Sequence, residues 1–274
     1  MGVMSTRAPL VVLGCGFTGV EAARLALADG RTILASTRSA GRARELAALG
    51  IEARVIPHLD AEAVADLVPA GAEVLVTFPP DGATDAAIAP ALGAARAVVY
   101  ISSTAVYGEA SGSIDEGVAV DPAAPRALAR LAAEEAYRAR GGSILRAAAI
   151  YGPGRGLHVR LARGEHRIAG DGLAVVSRIH VTDLARLALA ALDRGAPGSI
   201  FNAADATPVP QIEVIIWLAA RLGVPVPPSV PAESLHETLR HDRAVDGALG
   251  RRSLGLELLY PSYREGFEDC LSPR

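Results

Sequence analysis

Leu10-Val11-Val12-Leu13-Gly14-Cys15-Gly16-Phe17-Thr18-Gly19 joins a short apolar run to a G-x-G-x-x-G loop, and an Ala- and Leu-rich stretch follows at once. A buried strand, a glycine turn and a helix start in this order make a cradle for the pyrophosphate of a dinucleotide. Gly14 permits the tight turn and Gly16 lets backbone N–H groups approach the phosphates. Gly19 lets the helix lie close to the strand, and the helix N-terminus favours negative charge. Phe17 and Thr18 complete the loop as cofactor contacts. A glycine triplet alone is weak evidence; its place at the first strand-to-helix turn gives it weight.

Outward from the loop the same alternation repeats. Residues 10–14, 32–36, 53–56, 73–77 and 97–102 read as strands apolar on both faces, with helical patterns at 19–28, 42–49, 61–68 and 84–92 between them. A further helix near 125–138 precedes a strand at 143–146. This is the pattern of parallel βαβ winding with helices on both faces, an α/β Rossmann-type doubly wound sheet. Beyond Gly152-Pro153-Gly154 the alternation breaks. Residues 164–172 are short and polar, 181–192 and 211–222 read as helices with Trp217 in the core, and 199–203 reads as a strand. A proline-rich connector at 224–231 leads to an Arg-rich helical end closing on Tyr260-Pro261-Ser262-Tyr263. Residues 1–152 are therefore expected to form a dinucleotide-binding domain, its sheet open to completion by segments around 178–203. Residues 153–274 form mainly a smaller substrate-binding lobe.

The 274 residues are 50% hydrophobic with a formal net charge of −3, enough apolar content for a sizeable core and no basic field for nucleic acid. No apolar run is long enough for a membrane helix. Two cysteines, Cys15 and Cys270, are too few for a disulfide framework, so a reducing cytoplasm is expected. Residues 1–6 fit a myristoylation pattern, but the chain runs straight into a buried-strand signal. His58, His158, His166, His180, His236 and His241 form no metal-ligand spacing, so no metal is expected. A nucleophile elbow and a P-loop are both absent. Every basic residue is arginine; the chain has no lysine.

The end of the second strand reads Ser36-Thr37-Arg38-Ser39, with no acidic residue for the adenosine ribose of NAD. Arg38 instead suits a 2′-phosphate, with hydrogen bonds from Thr37 and Ser39, so NADP is favoured over NAD. The other reading of Arg38 is a solvated loop arginine. Asp60, after the third strand, is placed to accept from the adenine amino group. Thr77, Phe78 and Pro79, after the fourth, would line the pocket beneath the ribose and nicotinamide.

Four segments together resemble the extended short-chain dehydrogenase/reductases, the NAD(P)-dependent epimerases and dehydratases of nucleotide sugars. They are the glycine loop, Ile101-Ser102-Ser103-Thr104-Ala105-Val106-Tyr107-Gly108, Leu145-Arg146 through Ile150-Tyr151-Gly152-Pro153-Gly154, and Arg178-Ile179-His180-Val181-Thr182-Asp183-Leu184-Ala185. Their order and spacing match over nearly the whole chain. The resemblance implies that Ser103 is the catalytic hydroxyl, holding the substrate oxygen whose carbon gains or loses hydride, with Ser102 beside the cofactor. Strand-end capping by Ser102, Ser103 and Thr104 is the alternative. It places Tyr107, Tyr151, Arg155 and Arg178 on the substrate side. Arg155, Arg160, Arg163 and Arg178 come from the segment that lines the family's nucleotide-sugar pocket; solvated arginines are the other reading. His180 and Asp183 are expected to orient the lobe's helix, with Thr182 or Asp183 satisfying its first N–H groups.

The departure lies in the acid/base pair. The family uses a tyrosine followed four residues later by a lysine. Here Arg126 and Arg130 stand at those positions, and no lysine exists to restore the pair elsewhere. Arg130 can still bond the nicotinamide ribose, but a guanidinium cannot act as a base. The nearest other phenols are Tyr107, Tyr137 and Tyr151. Two functions remain open: an NAD(P)-dependent oxidoreductase of a hydroxyl/carbonyl carbon in a small molecule such as a nucleotide sugar, or a non-catalytic NADP-binding sensor or regulator. Either would be a monomer or a homodimer.

Overall fold

The computed structural model describes residues 7–235 and 241–273, so residues 1–6 with their lipidation pattern, and His236, lie outside the described residues. The strands are β1 (Leu10–Leu13), β2 (Ile33–Thr37), β3 (Glu52–Val55), β4 (Glu73–Val76), β5 (Ala97–Ser103), β6 (Gly112–Ile114), β7 (Ser143–Ala147), β8 (Ala149–Tyr151), β9 (Ile168–Ala169), β10 (Arg178–His180), β11 (Ile200–Ala203), β12 (Ser229–Val230) and β13 (Arg243–Val245). The helices are α1 (Phe17–Ala28), α2 (Ala40–Ala48), α3 (Ala61–Leu67), α4 (Thr84–Ile88), α5 (Leu128–Arg138), α6 (Leu157–Ala162), α7 (Val181–Arg194), α8 (Gln211–Leu222), α9 (Ala248–Ser253) and α10 (Tyr263–Leu271).

Seven strands form one parallel sheet in the order β11-β7-β5-β4-β1-β2-β3. The order reverses direction between β1 and β4, and a ligand crevice opens beyond the strand ends at such a switch point. Strand residues alternate between two cores, because successive side chains point to opposite faces. Leu10 and Val12 pack with α1 and α7 on one face, while Val11 and Leu13 pack with α3, α4 and α5 on the other. The late strand β11 occupies an edge of this sheet, joined to β7 by the register Ile200↔Ile144.

Three short parallel pairs lie outside the sheet: β8 with β10, β9 with β12, and β6 with β13. A third core gathers residues of α6, α8 and α10 with Tyr151. Trp217 is only half-buried there, against the edge of Tyr263 at a ring-centroid distance of 5.5 Å.

Two expectations shift for identifiable reasons. The helix read over 84–92 is α4 followed by a 3₁₀ turn over Ala89–Ala94, because Pro90 has no N–H to continue an α-helix. Tyr260-Pro261-Ser262-Tyr263 does not close the chain but opens α10. Ser262 and Glu265 form a capping box there, each side chain accepting from the other's end of the first turn.

Candidate functional site

The glycine loop stands over the crevice between β1 and β4. Gly14 holds φ +79°, and a Cβ on it would meet the Phe78 Cβ at 2.7 Å. A Cβ on Gly19 would lie 2.8 Å from Val12 Cγ1 and 3.0 Å from Thr77 Oγ1. Gly16 differs: an added Cβ meets no protein atom nearer than Gly14 O at 3.8 Å, and Gly16 lines the cleft. Two of the glycines thus fit the protein to itself, and the third keeps space for a ligand. Side chains pin the turn from both flanks, with Gly14 N donating to Ser36 Oγ at 2.9 Å and Thr77 Oγ1 donating to Gly14 O at 2.6 Å. Cys15 lines the cleft too, but burial pushes its thiol pKa up to about 11, so it is no nucleophile at neutral pH.

The cleft has a volume of about 880 Å³. Gly14, Gly16, Phe17, Thr18, Thr37, Arg38, Thr77, Phe78, Pro79, Ser102, Ser103, Arg126, Arg130 and Arg155 all line it, drawn from separate segments of the chain. A dinucleotide fits this set on the chain's own terms: an open glycine at the N-terminus of α1, and a lining with five arginines and one carboxylate, Asp81. Asp81 is itself committed to capping Ala83, Thr84 and the Thr84 hydroxyl. Arg38 is exposed beside the start of α2. Ser39 accepts from Arg42 N at 3.3 Å as the cap of that helix, so its oxygen serves the fold first. Arg155 lies over the Phe17 ring at 5.1 Å.

Several expected contacts are placed elsewhere. Asp60 does not line the cleft; its Oδ1 accepts from Ala63 N at 2.8 Å and caps α3. His58, with Ile56 and Pro57, takes the wall where Asp60 was expected. Gly19 supports the loop from behind. Tyr107 is buried, donating to Asn202 Oδ1 at 2.8 Å and accepting from Arg146 at 3.2 Å. Tyr137 donates to Asp85 Oδ1 at 2.8 Å inside the second core, and burial drives its phenol far above the usual range. Tyr151 is buried against Phe267 in the lobe. Arg178 is buried and donates to Gln211 Oε1 at 2.8 Å. None of these four lines the cleft, because each serves the packing of β5, α5 or the lobe. Arg160 and Arg163, on and just after α6, do not line it either.

His180 itself caps α7, its Nδ1 accepting from Thr182 N at 3.3 Å, a role expected of Thr182 or Asp183. Asp183 instead accepts from Leu259 N at 2.9 Å and Tyr260 N at 2.8 Å, tying the C-terminal segment to α7. His180, Asp269 and Cys270 bring three potential ligand atoms within 4.8 Å of one another. With Nδ1 accepting, a neutral His180 carries its proton on Nε2, facing Asp269 Oδ2 at 3.4 Å. That arrangement offers no lone pair to an ion.

At the end of β5 the two serines part. Ser102 is buried and donates to Glu134 Oε1 at 2.6 Å. Glu134 in turn is held by Arg146, whose NH2 donates to Oε2 at 2.8 Å. Ser103 is half-buried, and its Oγ accepts from Ala105 N at 3.2 Å. That capping bond uses an acceptor position and leaves the Ser103 O–H to donate into the cleft. The Glu134–Arg146 anchor has no signature in the chain, since its members lie on α5 and β7 and meet only across the sheet.

A second cavity of about 550 Å³ adjoins the first, and Ser103, Arg126 and Ala148 line both. Glu109, Asp121, His241 and Arg243 line the second cavity alone. Arg243 holds the carbonyls of Ala110, Thr104 and Gly108, which fixes the loop after β5. Asp121 Oδ1 accepts from Ala123 N at 2.9 Å. These residues carry no recognisable spacing, because the loop after β5, the segment before α5 and the chain around β13 converge only in three dimensions.

A seven-stranded parallel sheet with a glycine cradle at its switch point defines a Rossmann-type nucleotide-binding protein. Residues 85–204 match the NAD dependent epimerase/dehydratase family, to which the chain is related in sequence and in fold. It is similar, at 31% identity and a TM-score of 0.85, to the structure of a functionally unknown conserved protein from Silicibacter pomeroyi, with 96% of this chain and 98% of that one covered. A UDP-glucuronic acid 4-epimerase from Bacillus cereus, solved in complex with NAD, shares the fold at 17% identity and a TM-score of 0.77, with 95% and 96% covered. A 3-diazoavenalumate denitrifying reductase from Streptomyces is 28% identical over 137 residues. That match spans 45% of this chain and 45% of the reductase, somewhat under half of each. Among the described residues, no helix is long and apolar enough to cross a membrane.

Proposed function

We propose that the protein is a nicotinamide-dinucleotide oxidoreductase, favouring NADP, that acts on a hydroxyl/carbonyl carbon of a small molecule. The observation that carries this reading is the position of Ser103. Its hydroxyl stands where the cofactor cleft opens into a second cavity, so a substrate there would have its reacting carbon beside the cofactor. Arg38, exposed at the adenosine end with no acidic residue in the lining near it, supports the preference for NADP. When bound, the dinucleotide supplies or accepts hydride. The chain supplies the cradle, the Ser103 hydroxyl that orients the substrate oxygen, and Arg130 for the nicotinamide ribose. A nucleotide sugar is one substrate class in view, since a neighbour of this fold is a UDP-glucuronic acid epimerase; a reductase is among the relatives as well.

A second reading, a dinucleotide-binding regulator without turnover, draws support from one observation: among the described residues, no tyrosine lines either cavity. The deciding experiment measures NADPH and NADH affinity by fluorescence. It then follows NADPH oxidation against UDP-sugars, 4-nitrobenzaldehyde and a panel of simple ketones. Turnover on any of them supports the oxidoreductase. Tight NADPH binding with no turnover across the panel supports the regulator.

A further inference from the structure

The proton inventory around Ser103 is one-sided. The chain has six tyrosines and no lysine. Tyr100, Tyr107, Tyr137 and Tyr151 are buried in the cores, Tyr260 and Tyr263 belong to the lobe, and none of the six lines either cavity. Ser102, the other hydroxyl at the end of β5, is spent on Glu134. The polar side chains that border both cavities are Ser103, whose Oγ accepts from Ala105 N, and Arg126. Arg130 and Arg155 lie on the first cavity, and the second adds Glu109, Asp121, His241 and Arg243. A guanidinium has five N–H donors and no acceptor. The two polar side chains that border both cavities, Ser103 and Arg126, therefore offer an alkoxide donors, while the acceptors Glu109, Asp121 and His241 line the second cavity alone.

We propose that Ser103 and Arg126 form a donor-only oxyanion site, so that the cleft reduces carbonyl compounds and lacks the base an epimerase needs to begin from an alcohol. This rests on the reading of the site as a hydride-transfer cleft. In the reduction, the carbonyl carbon gains a hydrogen with its electron pair from the reduced dinucleotide, and the C–O π pair moves onto oxygen. Ser103 and Arg126 hold that oxygen by hydrogen bonds, and a proton from water completes the alcohol; the carbonyl compound is reduced and the dinucleotide oxidised. Arg126 is thus a catalytic residue in its own right, placed where charge develops. In the reverse direction the alcohol must lose its proton, and neither Ser103 nor Arg126 can take it. That proton is assigned to hydroxide from solvent and not to Glu109, Asp121 or His241.

The test compares wild type with Arg126→Gln and Arg126→Lys. With 4-nitrobenzaldehyde and NADPH, Arg126→Gln is expected to lower kcat/KM by about 10²–10³-fold, with Arg126→Lys recovering part of the loss. NADPH affinity is read by fluorescence alongside, so that the rates are compared at saturating NADPH. Binding of 2,2,2-trifluoroacetophenone to the NADP⁺-loaded protein, read from its fluorine resonance, weakens about tenfold or more in Arg126→Gln. With 4-nitrobenzyl alcohol and NADP⁺, the wild-type rate climbs about tenfold per pH unit between pH 5 and 9 with no plateau, as hydroxide dependence requires. A plateau would assign the proton to Glu109, Asp121 or His241 and overturn the inference. So would an Arg126→Gln variant as active as wild type, or one that binds the ketone equally well. Those results leave the hydride-transfer reading standing. No reduction of any carbonyl by a protein that binds NADPH overturns that reading and this inference with it.

Discussion

The two cavities that meet at Ser103 are built by different means. The phosphate cradle of the cofactor cleft is made mostly of backbone. A turn at Gly14, an open position at Gly16 and the N-terminus of α1 shape it, all within ten consecutive residues. The second cavity is made of residues from β13, the loop after β5, the segment before α5 and residues 175–177, with Arg243 holding three carbonyls of the loop after β5. Backbone geometry of this kind tolerates few residue types and so leaves a pattern in the chain. A cavity assembled from distant side chains can change its chemistry one residue at a time while the fold stays as it is. Arg126 borders both cavities, and Arg130 borders the cofactor cleft.

The sharpest way to break this contrast is Gly16→Val. A Cβ at Gly16 meets no protein atom nearer than Gly14 O at 3.8 Å, so the fold should persist with a melting temperature close to wild type. The pyrophosphate space is filled instead, and dinucleotide affinity should fall by about 10³-fold or more by fluorescence titration. Gly14→Val is the internal control: its Cβ strikes Phe78 and its φ of +79° suits glycine, so that variant should lose stability as well. Unchanged cofactor affinity in Gly16→Val would mean that the dinucleotide does not bind at the glycine loop.

The junction of the two cavities should accept the opposite manipulation. Arg126→Tyr with Arg130→Lys puts a phenol and an ammonium at the two positions that the resemblance aligns with the family's acid/base pair. A positioned acid/base pair typically contributes about 10²–10⁴-fold, so alcohol oxidation with NADP⁺ should rise within that range. The rate should also level off with pH where wild type keeps climbing. A folded, NADPH-binding double variant with no gain would mean that the second cavity has diverged beyond the two residues.

Legibility in the amino-acid sequence follows the same division. β1, the loop and α1 are legible because a buried apolar run leading into that glycine spacing suits little besides a strand, a tight turn and a helix start. The helix at 211–222 is legible from its apolar period alone, and α8 runs over those residues. Asp60 is misplaced by sequence because a carboxylate after a strand fits a ligand and a helix cap equally well, and the Ala63 N–H claims it. Tyr107 and Tyr151 are expected to reach a substrate, yet a Tyr in a strand-end motif says nothing about which face its ring takes. Packing against Asn202 and Phe267 decides that. The buried Glu134–Arg146 pair is invisible, because its partners are joined by the sheet and not by spacing.

That pair tests whether the two regions are mechanically separate. Glu134→Gln leaves the Arg146 guanidinium buried without its countercharge, at a cost of about 3–5 kcal/mol in unfolding free energy. Denaturant titration should show that loss, while NADPH affinity measured on the folded fraction changes little. A cofactor affinity that falls in step with stability would mean the anchor beneath Ser102 also sets the cleft.

The smallest effect concerns the far end of the cleft, where a side chain and not the backbone is expected to choose the ligand. Arg38 is exposed and makes no hydrogen bond or ion pair among the described residues, and the first turn of α2 beside it is capped by Ser39. Its removal should therefore cost the fold almost nothing. A charge-assisted bidentate bond to a 2′-phosphate is worth about 1.5–3 kcal/mol, so Arg38→Ala should weaken NADPH by about 10- to 100-fold and leave NADH nearly unchanged. Because the contact is exposed, the difference between the two cofactors should shrink as salt is raised. Equal losses for NADPH and NADH would show that Arg38 does not read the 2′-phosphate. The adenosine end would then be as dependent on backbone as the loop at Gly16, and the preference for NADP would fall.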